Sequence, residues 1–325
     1  MQAATGRRHR MISYAKYGYI FIAPFFIAYI FFMLYPLINT FILSFMENRT
    51  ENPTVFVGLQ NYQHILFGDA SRNAQQKAFM SSMGNTLILW AGNFVIQIVL
   101  SLLLAVWFSD VRIKIKGTGF FKIVMYLPNI ITAASVAGIF LMIFGKTDQS
   151  VVNSLLLKWG VILKGDNIDF TTDPVYSRVL VMFIQSWMWF GNTMLLLLSG
   201  IFGIDPSIYE AADIDGSSGA NTFFRITMPI LKPIFIYVFI TSMIGGLQMF
   251  DIPYMFHHGE TVSPYLKTVA VYIYQAFRKD HNYGYSSAAS ILLFILTAIL
   301  GAIIYRFNTD SSAPVKKKKA KGGKV

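Results

Sequence analysis

Two clusters in this chain have residue types and spacing suited to chemistry. Gly216, Ser217, Ser218 and Gly219 read G-x-S-G, the pattern in which an intramembrane serine hydroxyl acts as nucleophile. Such a hydroxyl needs a base within hydrogen-bond reach. The five histidines are His9, His64, His257, His258 and His281, and none lies in an uncharged stretch long enough to cross a bilayer. Hydrolysis is therefore not expected. His257, His258 and Glu260 form the second cluster, but adjacent histidines point in different directions on most backbones, so a polar outer loop is expected there and no metal site. The chain has no cysteine, which removes disulfides, zinc–thiolate sites and thiol catalysis. It also has no G-x-x-x-x-G-K-[ST] phosphate loop. The reading is a non-enzyme with no cofactor or metal of its own.

The elements around these residues belong to a membrane protein. Of 325 residues, 54% are hydrophobic and only 13% charged, about half the charge of a soluble domain. A bilayer core takes about 20 apolar helical residues, and a charge at its centre costs roughly 2.5–3.5 kcal/mol. Uncharged gaps should therefore mark the spans. Six qualify: Lys16 to Glu47, Lys77 to Asp110, Lys122 to Lys146, Arg178 to Asp205, Lys232 to Asp251 and Asp280 to Arg306. The stretch "NPTVFVGLQNYQ" between the first two is too polar and turn-rich to span. The expected fold is all-α and polytopic, with six transmembrane helices over residues 18–308, an N-terminal tail 1–17 and a basic tail 309–325. The first apolar segment is too long for the core of a signal peptide. The tails and even-numbered loops hold seventeen basic and six acidic residues, and the odd-numbered loops hold ten of each. Basic residues stay inside, so both termini are expected to be cytoplasmic. The lysine-rich end reads as a solvated tail near anionic lipid, not as a nucleic-acid site.

This topology puts "DPSIYEAADIDGSSGANTFFRITMPILKP", residues 205–233, in the cytoplasmic loop between helices four and five. Asp205 is an N-cap with Pro206 at the first helical position, and Ile208, Ala211 and Ala212 share a face. Gly216 ends this helix, because glycine takes the left-handed conformation at no steric cost. A second helix follows towards the membrane, with Pro229 and Pro233 bracketing the start of helix five. The alanines permit close approach of another surface.

In Glu210, Ala211, Ala212, Gly216, Ile226 and Pro229 the loop resembles the EAA loop of ATP-binding-cassette (ABC) importer permeases, with Met228 where leucine is usual and Ser217 where the sugar-uptake branch often has alanine. The wider chain looks like a carbohydrate permease of the maltose-transporter type: "FIAPFFIAYIFFMLYP", "FVGLQNY", "GNTL", "YLPNI" and "IYQAFRKDHNYGYSSAAS" carry the likeness. "MFHHGETVSP" departs from the threonine–glycine–glycine–proline usual after helix five. The resemblance implies a bacterial plasma-membrane permease paired with a second homologous permease. It implies two ABC ATPase subunits that bind ATP and magnesium, and an extracellular solute-binding protein. The residues implied in ATPase coupling are Glu210, Ala211, Ala212, Asp215, Gly216 and Pro229. The alternatives are a permease for a polyol or glycerol phosphate ester, or a non-ABC six-helix channel.

For the solute path, helix four offers Gln185, Trp187, Trp189 and Asn192, and helix five offers Thr241 and Gln248. Amides bond sugar hydroxyls and indoles stack on sugar CH faces. Each also has an ordinary reading, as packing or interfacial anchoring for tryptophan and as glue between helices for a buried amide.

Overall fold

The computed structural model describes residues 15–49, 52–68, 73–109, 116–256 and 262–311. The two tails and the His257–His258–Glu260 cluster lie essentially outside them. The described chain is helical apart from one antiparallel ribbon, Met46–Arg49 against Asn52–Phe56, in register Met46 opposite Phe56. That ribbon and a short helix Gln60–Leu66 occupy the turn-rich stretch after the first span.

Among the described residues, five helices are long and apolar enough to cross a membrane: Tyr17–Leu43, Asn73–Ser109, Pro174–Phe202, Gly219–Met255 and Tyr283–Arg306. They run past the charged residues that bound the gaps. Lys77, Arg178 and Lys232 all sit within helix, so the gaps locate the apolar cores and not the helix ends.

The expected third span is not a single helix. The segment folds as a pair, Thr118–Ile130 and Ala133–Phe144, bent by 94°, and the structure holds six candidate spans when this pair is counted as one and five when it is not. Pro128 supplies no N–H to continue the ladder, and residues Leu127–Ile130 tighten into a 3₁₀ turn. Ile131 and Thr132 are extended, and the Thr132 hydroxyl caps the second helix by accepting from the Ser135 N–H. The fourth span packs on the helix before the break: a Cβ on Gly191 would fall 2.1 Å from the Met125 carbonyl oxygen, so only glycine permits this approach, while Ile131 is half-buried and Thr132 exposed. The Asn129 amide also donates to the Met188 carbonyl at 3.3 Å.

The fifth span also starts earlier than the prolines suggest. The helix Gly219–Thr222 passes through a π segment, Phe223–Thr227, into Met228–Leu247, leaving Pro233 inside. Pro229 follows closely on the π segment of this continuous run and supplies no N–H to its ladder.

The fourth span is central. Its apolar window is 56% buried, against 0% for the first. It packs along the second span through Leu89, Leu180, Val181, Ile184 and Met188 towards one end. Ala105, Met194, Leu197, Leu198 and Ile201 line the seam towards the other, joined by Leu231 of the fifth span. Polar rungs cross the same seam. The Ser101 hydroxyl donates to the Phe190 carbonyl at 2.8 Å, and the Gln97 amide donates to Thr193 Oγ1 at 2.7 Å. Bonds of this kind contribute about 0.6–2 kcal/mol each in a membrane.

Candidate functional site

The fourth span leads at one end into the surface loop. The Asp205 carboxylate accepts from the Ser207 N–H at 3.0 Å and starts the helix Pro206–Ile214. Hydrogen bonds from Ser207 hold the Asp205 carboxyl below its ordinary range. At the other end of that helix Gly216 has φ +69°. Its N–H donates to the Asp213 carbonyl at 3.1 Å, and the Ser217 N–H donates to the Ala212 carbonyl at 2.9 Å. The reversal is therefore a glycine C-cap of the kind the spacing predicts. Ser218 caps the following helix, and Ser217 Oγ accepts from Asn221 and Thr222. Both hydroxyls serve the fold of the loop.

The loop is tied to the fifth span by Tyr209 and Thr227, whose hydroxyls lie 3.1 Å apart. Ala212 is buried against the body, whereas Glu210, Ala211, Asp215, Gly216 and Pro229 are exposed. Ile214 is 86% exposed beside them. Its exposure puts a bare apolar side chain on the surface helix, and helical spacing from Glu210 and Ala211 was the available signal for it.

A second site lies among the spans. A cavity of about 220 Å³ is lined from the fourth span by Gln185, Trp189, Asn192, Thr193 and Leu196. The fifth contributes Tyr237, Val238, Thr241, Ser242, Gly245, Gly246 and Met249, and the second contributes Asn93 and Gln97. Positions 185, 189, 192 and 196 form one helical stripe. Gly246 lets Trp90 of the second span close on the fifth, where a Cβ would fall 2.1 Å from the indole. The Trp90 indole N–H donates to Ser242 Oγ at 3.3 Å.

Of the solute-path residues read from sequence, Gln185, Trp189, Asn192 and Thr241 thus come together. Two do not join them. Trp187 turns to the other face of its helix and packs edge-on to Phe140, centroids 5.8 Å apart. Gln248 is exposed at the end of helix Met228–Leu247, where its N–H donates to Ile244. Asn93 and Gln97 were legible by the rule that picked Gln185, since both are amides in an uncharged run, four residues apart. The cavity lining carries no ionisable side chain except the Tyr237 phenol. It therefore offers hydrogen bonds and an indole face, without an ion pair.

Comparison with known proteins places this architecture. Residues 97–310 match the family model "Binding-protein-dependent transport system inner membrane component". The chain is 32% identical over 300 residues to the arabinooligosaccharides transport system permease protein AraP of Bacillus subtilis, covering 92% of this chain and 90% of that one. It is 32% identical over 301 residues to the lactose transport system permease protein LacF of Rhizobium radiobacter, covering 92% and 96%. Its fold matches a chain in the crystal structure of a bacterial ABC transporter that imports the acidic polysaccharide alginate. There the TM-score is 0.70 at 20% identity, covering 91% of this chain and 96% of that one. The chain belongs to the family of inner membrane components of binding-protein-dependent transport systems, as a multi-pass permease.

Proposed function

We propose that this permease forms half of the translocation path of an ABC importer for neutral sugars or oligosaccharides, and that its loop 205–233 couples the path to a separate ATPase. The observation that carries the reading is the uncharged cavity of amides, hydroxyls and an indole, built on the span that runs into that loop. Its lining suits a solute recognised through hydroxyls and CH faces. The similarity to permeases named for arabinooligosaccharides and lactose supports the same class. Among the described residues the lining supplies no cation to partner the charge of a phosphate ester.

The remaining parts rest on the family likeness. ATP and magnesium belong to two partner ATPases, and this sequence carries no phosphate loop of its own. The exposed Glu210, Ala211, Asp215, Gly216, Ile214 and Pro229 supply a polar, small-residue surface with one apolar knob for docking. The cavity is smaller than the ~300–1,000 Å³ of a complete small-molecule site, and a second permease would close it. An extracellular binding protein delivers the solute, and both termini face the cytoplasm.

The test is uptake of lactose, arabinobiose, arabinotriose and glycerol 3-phosphate by cells with and without the chain. Loss of one or more sugars is expected. Loss of glycerol 3-phosphate alone would reject the sugar reading. Gln185→Leu, Trp189→Ala and Asn192→Leu should each lower sugar uptake while leaving assembly and basal ATP turnover intact. Wild-type uptake by all three would move the path elsewhere.

A further inference from the structure

We propose that Asn93 of the second span is a solute-contacting residue whose side-chain oxygen accepts a hydrogen bond from a sugar hydroxyl. The proposal rests on the cavity being the solute path. Asn93 borders that cavity and is only 6% exposed. Its Oδ1 is buried and has no hydrogen-bond partner among the described residues.

The other buried amides on the same face of this helix are engaged. Asn85 donates to the Pro264 carbonyl at 2.6 Å and the Lys267 carbonyl at 3.1 Å, and it accepts from Arg178 at 2.7 Å. Gln97 donates to Thr193. The backbone at Asn93 is fixed as well, because the Ser186 hydroxyl donates to its carbonyl at 3.2 Å. The backbone is therefore held at this point while the side-chain acceptor stays unused among the described residues. An unpaired polar atom is costly in a membrane interior, and it is tolerated where a donor arrives from outside the chain.

The required donor is an O–H or N–H, since a carbonyl oxygen only accepts. An anionic oxygen would be repelled. A sugar that presents a hydroxyl at this point fits, and an analogue without that hydroxyl is rejected, because the buried acceptor stays unpaired.

The chain has no cysteine, which allows a test in the complete reconstituted transporter. Asn93→Cys, Gln185→Cys and Leu89→Cys would be reacted with a small cationic methanethiosulfonate. Leu89 lies one turn along the same face and is fully buried. Asn93→Cys should react at a rate comparable with Gln185→Cys and far above Leu89→Cys. Reaction at Gln185→Cys with Asn93→Cys as inert as Leu89→Cys overturns this proposal and leaves the cavity reading standing. Inertness at both positions overturns the cavity reading too.

In the second arm, Asn93→Leu should lower uptake of the carried sugar about 3–10-fold, the effect of losing one hydrogen bond. Asn93→Ser, which keeps a shorter oxygen, should recover part of it. Wild-type uptake of lactose, arabinobiose and arabinotriose by Asn93→Leu overturns the contact. If Asn93→Leu fails to reach the membrane, Asn93→Ser decides alone: the proposal stands on reduced uptake and falls on wild-type uptake. A wild-type transporter that carries none of these sugars overturns the sugar reading beneath the proposal.

Discussion

Replacing Gly216 in turn by asparagine, alanine and valine separates the conformation of the loop from its contacts. The backbone there has φ +69°, and a Cβ would meet nothing within 4 Å. The penalty is therefore confined to the left-handed backbone and involves no clash. That conformation costs an L-residue about 1–2 kcal/mol, and asparagine tolerates it best. A β-branched residue tolerates it worst. The expected order of harm is asparagine, then alanine, then valine. If the ATPase grips only the bent loop, about 1–2 kcal/mol lowers the gripped fraction roughly 5–30-fold. The residue is exposed and lies outside the spans, so membrane insertion should be unchanged throughout. The readouts are the amount of chain in the membrane, co-purification of the ATPase, and solute-stimulated ATP turnover. Wild-type coupling by Gly216→Val would remove the bend from the mechanism. Equal loss in all three variants would refute the conformational argument, and would show that the partner needs the empty space beside the glycine.

Gly191→Ala should destabilise the detergent-solubilised chain by about 1–3 kcal/mol, because its new methyl meets Met125 backbone 2.1 Å away. Gly301→Ala, with nothing within 4 Å, should leave thermal unfolding unchanged or improve it; equal effects would discredit the close approach. Gln60→Cys should react with an impermeant thiol reagent in intact cells, and Gly216→Cys only after permeabilisation, the reverse pattern inverting the topology. Burial works to raise the Asp169 carboxyl, but hydrogen bonds from Thr172 and Thr171 and the Lys146 ion pair at 3.1 Å outweigh it and hold it well below its ordinary range. Such a depressed group stabilises above the ordinary carboxylate pKa of about 3.9 and loses its effect as pH falls further. Protease resistance of the loop 145–173 should thus persist at neutral pH and fade in strong acid. Asp169→Asn should raise cleavage about fivefold at pH 7, the effect of losing about 1 kcal/mol, and an unchanged cleavage rate would show that the ion pair does not hold the loop.

Charge gaps located the spans because hydrocarbon penalises every ionised side chain regardless of fold. They missed the helix ends because a lysine or arginine near a terminus reaches water along its own stem. Lys77, about one turn into its helix, is such a case; Lys232 instead lies exposed well inside its helical run. The same rule could not see the break at Ile131 and Thr132, since a gap without charges reads alike whether helix or bend fills it. Pro128 was the local sign, but a proline in a span does not by itself distinguish a kink from a right-angle turn. The surface loop was the most legible part, because Asp205, Pro206 and Gly216 act through local backbone geometry. In the cavity, spacing placed Gln185, Trp189 and Asn192 on one stripe. It did not tell which way Trp187 turns, because rotation of a helix about its axis is set by neighbours such as Phe140.

The unbroken helical run from Gly219 to Leu247 has a mechanical consequence. At about 1.5 Å per residue it is a rod roughly 43 Å long. One end carries the turn beside Gly216, and Thr241, Ser242 and Gly245 ride near the other. A tilt of about 10° imposed at the surface end would carry those side chains sideways by about 6–7 Å over their distance along the rod. That is about the width of a sugar ring. The prolines at 229 and 233 set where the rod flexes, and so how much of an imposed stroke arrives at the far end.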